Sequence, residues 1–407
     1  LAKSLLIIGA GAEQIPAYQS AKARGLTVIG SDMNPDAPAF AYADYRLLAS
    51  TRDPAATLAA VQTLAKQRRI DGVMTIANDV PYTVAVVAEH LGLPGISTEA
   101  ARLVANKLLM KEAFRRAGVA CPWFSPVRDA AHLAQLIDTS GARQFVIKPI
   151  DGRGARGVLR LDKDSDLEWA FSESRRWGDC GDVILEEFIP GLQISTESFL
   201  LDGQCHTPAI AERNYEFLER FSPYIIENGG TIPAPLSADQ SRRIDALIAA
   251  GAAALGVRDG IVKGDIIIAE DGEPIIVELA LRLSGGWFAT HQIPAASGVS
   301  LVDAVISHAL GETVTAAQLT PTRNRATAIR YWLPTAGTIS RIDGEAELQM
   351  LPGLLAYGFF RREGERQPEI RMHPDRFGYL IVTADTPGAA LKQVNEGLNR
   401  VHIEVAP

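Results

Sequence analysis

Apolar residues in the first hundred positions come in short bursts instead of one continuous run. Residues 5–8, 27–30 and 72–76 are rich in β-formers, and the stretches between them carry helical spacing. Strand, helix and strand in alternation predict βαβ units on a parallel sheet. A Rossmann-like domain over residues 1–95 is the expectation, closed by Pro94-Gly95. Two helices follow, over 98–105 and 107–117, with Gly118 and then Pro122 as stop signals. The pattern then changes. Residues 145–148 and 183–188 read as strands, 237–255 as a helix, and 265–269 with 274–279 as a hairpin turning at Asp271-Gly272. Helix and strand interleave as α+β over residues 96–320. Beyond Pro321, strand-like runs at 326–332 and 379–384 and a last helix at 387–401 predict a small α/β or barrel-like unit over 321–407. The small residues of 249–254 point to close helix packing.

Composition narrows the function classes. With 407 residues, 47% of them hydrophobic, the chain can bury a substantial core in several domains. A formal charge of −8 gives no electrostatic reason for a nucleic acid or an anionic membrane as partner, so local charges must hold any anionic ligand. No apolar stretch reaches the roughly 18 residues that a bilayer requires. Cys121, Cys180 and Cys205 lie far apart, without disulfide or metal-ligand spacing, which makes a reducing cytoplasm the simplest setting.

Candidate chemistry begins at Gly9-Ala10-Gly11. Two glycines of a dinucleotide fingerprint are present, but Gln14 takes the place of the third. Asp32 stands where an NAD ribose carboxylate could sit; the alternative is a glycine turn with a capping acid. Lys148-Pro149 at a strand end precedes Asp151-Gly152-Arg153-Gly154-Ala155-Arg156-Gly157. Glycines such as Gly154 let backbone N–H groups close over phosphate oxygens, which Lys148, Arg153 or Arg156 can neutralise. An ordinary hairpin turn is the other reading. Glu186, Glu187, Phe188 and Ile189 end a strand, where backbone groups can read an adenine edge; they can equally be surface charges before a turn.

The acidic pair is the third feature. Asp265 and Glu278 fall on opposite strands of the hairpin, and carboxylates side by side repel unless a cation lies between them. Mg²⁺ suits such oxygen ligands when phosphates complete its shell. Two solvated surface acids are the alternative. Arg282, four residues after Glu278, can hold a phosphoryl group or a carboxylate in a bidentate fork, or simply pair with Glu278.

In this order the motifs resemble the ATP-grasp superfamily, and the likeness covers most of the chain. The resemblance implies a Rossmann-like preATP-grasp domain, a two-subdomain clamp and a small C-terminal unit. It implies ATP with Mg²⁺, or Mn²⁺ in its place, as cofactors. Lys107 and Lys148 would bind phosphates, Glu186 to Ile189 would form the adenine hinge, and Asp265 and Glu278 would hold the metal. Arg282 and Lys148 would act on the transferred phosphoryl group. Two positions depart from the family: Gln193 replaces a ribose-binding glutamate, and Ala280 replaces a metal-binding asparagine. The similar branch is that of carboxylate-amine (L-amino acid) ligases, with purine-pathway and carbamoyl-phosphate synthetases related to it. The implied activity is ligation of a small-molecule carboxylate and an amine through an acyl phosphate, with room for a homodimer. A dehydrogenase and a nucleotide-binding regulatory subunit without turnover are the rival classes. Residues 212–231, with Arg213, Tyr215, Arg220, Tyr224 and Glu227, are a candidate substrate segment or a mobile surface loop, and His291 is a further candidate.

Overall fold

A computed structural model describes residues 2–406; Leu1 and Pro407 lie outside the described residues. The N-terminal sheet is parallel and has four strands, in the order Tyr45–Leu48, Thr27–Asp32, Ser4–Ile8, Gly72–Met74. Ser4–Ile8 is buried along its whole length, as a strand with both faces covered must be, which is why it reads as an unbroken apolar run. A smaller antiparallel sheet has the order Phe124–Val127, Val183–Glu187, Phe145–Pro149, Leu159–Leu161.

The largest sheet has nine strands. Its path runs from Pro274–Ala280 through Gly260–Ala269, Gly191–Leu201, Ile210–Asn214 and Gly229–Ile232 into Ala326–Trp332, Gly378–Ala384 and Leu354–Phe359. Strands from beyond residue 320 therefore continue the sheet that carries the acidic hairpin. The C-terminal segment adds a three-stranded sheet and the helix Pro387–Arg400 behind this continuation.

Two helices fix the hairpin and its surroundings. Ser237 and Gln240 form a reciprocal capping box that starts Ala238–Ala254, and Ile244, Ile248, Gly251 and Ala252 line its buried face. A Cβ at Gly251 would lie 2.9 Å from the side-chain ends of Ile276 and Leu279, so glycine lets the helix lie close against the second hairpin strand without displacing them. Lys107–Ala117 starts at Asn106, whose side chain accepts from Leu108 and Leu109 N–H, and it stops at the left-handed Gly118. Its buried face pairs Met110 and Phe114 with two lysines, Lys107 and Lys111. Buried lysines are rare unless paired, so this face belongs to a site as much as to a core.

Candidate active site

A cavity of about 1120 Å³ lies where the three parts of the chain meet. It is larger than most single-ligand pockets, which run to about 1,000 Å³, and offers room for more than one small molecule. At its base the hairpin register sets Asp265 directly opposite Glu278. Asp265 accepts from Ser195 Oγ at 3.1 Å and ion-pairs with Lys263. Burial opposes its ionisation, but Lys263 and Arg213 outweigh that and hold its carboxyl at about 2. Glu278 lies 3.3 Å from Lys107, whose ammonium also donates to Gly152 O at 2.8 Å. Both carboxylates are thus held against cations, and their hard oxygens fit a divalent cation sharing its shell with phosphates.

Lys148 ends its strand pointing into the same space, with Glu186 Oε1 2.9 Å away. Lys111, fully buried, approaches that oxygen to 3.3 Å without hydrogen-bond alignment. Burial pushes the Lys111 ammonium below its usual range; burial also works against the Glu186 carboxylate, but the two lysines hold it lowered. Lys111 is absent from the residues singled out in the sequence, although it stands one helical turn after Lys107 on the same face. Glu186 is a buried counter-charge for two lysines as well as part of the cavity wall.

The glycine-rich loop is tied on both sides. Asp151 accepts from Asp179 N–H at 3.2 Å and Cys180 N–H at 2.9 Å, and Gly154 O accepts from His373 N–H at 3.1 Å. Gly154 and Arg156 line the cavity. Burial lowers the Arg156 guanidinium, and neighbouring Arg153 and Arg52 add to this. Glu187, Phe188, Ile189 and Gln193 line the wall beyond; Glu187 and Phe188 N–H are engaged by Trp123 O and Gln144 O at 3.0 Å each.

The far end draws on distant sequence. Arg282 pairs with Asp79 of the N-terminal domain, not with Glu278, which corrects the alternative that it serves as that acid's partner. Glu278 faces Lys107 because the strand ends at Ala280, and Arg282 then turns toward the first domain. Glu197, wholly buried, accepts from Ser284 N–H at 2.5 Å and Ser284 Oγ at 2.7 Å; burial pushes its carboxyl up to about 7. Glu13 accepts from Gly286 N–H at 2.5 Å, and burial raises its pKa. Three carboxylates thereby fix residues 282–286. Trp287 follows at φ 56°, an outlier for a bulky residue.

Residues 212–231 are not one loose loop, since both ends are strands of the large sheet. Arg213 ion-pairs with Glu227, and Arg376 lies 3.4 Å from the same carboxylate and donates to Glu227 O at 2.6 Å. Arg213, Tyr215 and Glu227 line the cavity together with Arg376, while Arg220, Tyr224 and His291 are outside its lining. His291 meets Thr290 Oγ1 at 2.8 Å, and burial lowers its pKa. At the first glycine turn, Gln14 Nε2 donates to Ile76 O, and Asp32 accepts from Ala10 and Asn34 N–H. The carboxylate that a dinucleotide ribose would engage is bonded within the protein, and a side chain stands where the third glycine would be.

The cavity is thus enclosed by two sheets and by segments from both ends of the chain. Three family models match in succession: an ATP-grasp N-terminal domain over residues 18–95, an ATP-grasp domain over 104–286, and an L-amino acid ligase C-terminal domain 2 over 330–406. The chain belongs to the ATP-grasp family. A D-alanine–D-alanine ligase of Streptomyces griseus is 25% identical over 212 residues, 48% of this chain and 54% of that protein. One of Parabacteroides distasonis is 28% identical over 162 residues, 39% of this chain and 48% of the relative. The chain thus spans about half the length of these curated relatives. The crystal structure of an L-amino acid ligase from Bacillus licheniformis superposes with a TM-score of 0.83 at 22% identity, covering 100% of this chain and 99% of that one. The fold is therefore shared end to end. Among the described residues no helix is long and apolar enough to cross a membrane.

Proposed function

We propose that this protein is an ATP-dependent ligase that joins a small carboxylic acid to an amine as an amide or peptide. The observation that carries the reading is the pairing of Asp265 with Glu278 across a hairpin, in one cavity with Lys148 and Arg282. Lys107 and Lys148 hold the phosphates, with Gly154 and Arg156 of the loop above them. Glu186 sets the position of Lys148. The hinge from Glu187 to Ile189 takes the adenine, where the engaged N–H groups of Glu187 and Phe188 leave Ile189 as the donor to a base edge. The amide of Gln193 serves the ribose hydroxyls.

Mg²⁺ at Asp265 and Glu278, with Mn²⁺ as a substitute, would neutralise triphosphate charge. The substrate carboxylate oxygen attacks the γ-phosphorus, the bond to the β-phosphate oxygen breaks, and ADP leaves behind an acyl phosphate. Lys148 and Arg282 stabilise the charge on the moving phosphoryl group. The amine nitrogen then attacks the acyl carbon, phosphate departs, and the amine gives up a proton. The loop at 151–157, tied to His373, excludes water from the anhydride.

Amide formation as the outcome is supported by what the relatives are called, D-alanine–D-alanine ligase and L-amino acid ligase. Arg213 and Arg376, two guanidinium groups sharing the single carboxylate of Glu227, suit an acid carrying its own charge. The test is ADP release from Mg·ATP across pairs of amino acids, with mass spectrometry of the products. ATP turnover should require both an acid and an amine, and nucleotide binding without turnover on any pair would favour a regulatory subunit instead.

A further inference from the structure

The acidic hairpin carries a cation of its own. Lys263 stands two residues before Asp265 on one strand, so both side chains share the cavity face. Across the hairpin Lys263 faces Ala280, as Asp265 faces Glu278. On the other side Lys263 faces Glu197 and Asp265 faces Ser195. Two rows therefore lie side by side: Glu197, Lys263 and Ala280 next to Ser195, Asp265 and Glu278. The Lys263 ammonium reaches from the first row to the Asp265 carboxylate of the second.

These placements bear on how many metal ions the site can take. Ala280 offers a methyl group where a ligand atom would be needed, and its small size leaves the lysine chain unobstructed. Among the described residues no cluster of three or more His, Cys, Asp or Glu side chains surrounds a metal position. The donors at the hairpin are two carboxylates, Asp265 against the Lys263 ammonium of its own strand and Glu278 against Lys107 of the neighbouring helix. Mg²⁺ tolerates few protein ligands when phosphates and water supply the rest, so one ion fits this set. A second would have to displace Lys263 from Asp265 and would meet its charge at close range.

Building on the nucleotide-site reading, we propose that the site takes one divalent cation per nucleotide and that the Lys263 ammonium stands in place of a second. It neutralises Asp265 and, with nucleotide bound, the triphosphate oxygens facing that carboxylate. Being covalently attached, this cation is present at every concentration of free metal. Nucleotide affinity therefore saturates once the metal matches the nucleotide, with no further gain from excess.

The test is Mn²⁺ stoichiometry by electron paramagnetic resonance on the whole chain with the non-hydrolysable β,γ-methylene analogue of ATP, with analogue binding followed separately by calorimetry. The wild type should hold one Mn²⁺ per bound analogue. Lys263→Met should weaken the analogue on the order of ten-fold, the loss of one close charge contact. Combined with Ala280→Asn it should raise the count to two. Two Mn²⁺ on the wild type, or full affinity in Lys263→Met, overturns the proposal while leaving the nucleotide site standing. Failure of the wild type to bind the analogue at all removes the nucleotide reading and this inference with it.

Discussion

The two ends of the cavity are built differently. The near end, with Asp265, Glu278, Lys107 and Lys148, comes from one hairpin, one helix start and one strand end, each set by local signals. The far end is assembled across long spans: Arg282 meets Asp79 over 203 residues, and Gly286 meets Glu13 over 273. Local construction fixes most of the groups proposed to handle the nucleotide, whereas domain docking fixes Arg282 and those proposed to face the acid and the amine. Changes at the near end should therefore abolish chemistry, and changes at the far end, Arg282 apart, should alter which substrates are used and how well.

The largest effect is expected from Glu278→Gln. It keeps the size of the side chain but removes the charge that faces Lys107, and should lower acid-dependent ADP release on the order of 10²- to 10³-fold. Circular dichroism checks that the fold is kept. A loss below ten-fold in a steady-state assay would mean that the near end is not where phosphoryl transfer is controlled.

What could be read from the sequence follows the same division. The hairpin was legible because Asp271-Gly272 marks the turn and the flanking runs are β-branched, but Asp265 pairs with Glu278 through a register shift between Asp265 and Ile266 that the turn does not announce. Ala326–Trp332 was legible as an apolar and β-branched run, but its place in the nine-stranded sheet was not, since no local signal says which strand pairs with which. Gly191–Leu201, the longest strand, was missed. Gln193 and Ser195 line the cavity and the buried Glu197 follows on the same face, while Thr196 and Ser198 on the other face are buried, so neither face shows a clean apolar row. Asp79, Glu13, Glu197 and Arg376 carry no motif of their own. Each acquires its role only when separate segments meet.

The next effect is on stability and sharpens the near end. Glu186 is the one carboxylate shown between Lys111 and Lys148. Glu186→Gln leaves both ammonium groups buried without a counter-charge, which should cost about 3–5 kcal/mol in a urea unfolding series. Lys111→Met leaves a one-to-one pair and should cost far less. Equal losses in the two variants would show that Lys111 contributes by something other than charge.

Glu197 tests the link between the two ends, because it holds the segment that presents Arg282. Its folded pKa of about 7 lies above the ordinary glutamate value of 4.5. The folded state then binds the extra proton between these values, so this group's stabilisation is full below about pH 4.5 and is lost as pH rises toward 7. The loss amounts to on the order of 3 kcal/mol. Melting temperatures of the wild type should fall across that interval with a component that Glu197→Gln lacks. Parallel pH curves for the two proteins would place the titration elsewhere.

Arg376 gives the smallest effect and the most specific one. Its guanidinium lies 3.8 Å from the Tyr331 ring centre and donates to Glu227 O at 3.1 Å and 2.6 Å, a planar fork and a stacked face used together. Burial depresses its pKa to about 10, still far above neutrality, so it remains a cation at the far end. Arg376→Lys keeps the charge and loses both the fork and the stack, so the far end keeps its attraction for an anion and loses its geometry. The KM for the acid or the amine should rise about ten-fold, near 1.4 kcal/mol, while the KM for Mg·ATP stays where it was. The contrast between the KM values is the discriminating readout. If Arg376→Lys raised the KM for Mg·ATP as much as that for the co-substrates, the two ends would be coupled through the segment that carries Glu227, and the division between a nucleotide end and a substrate end would fail.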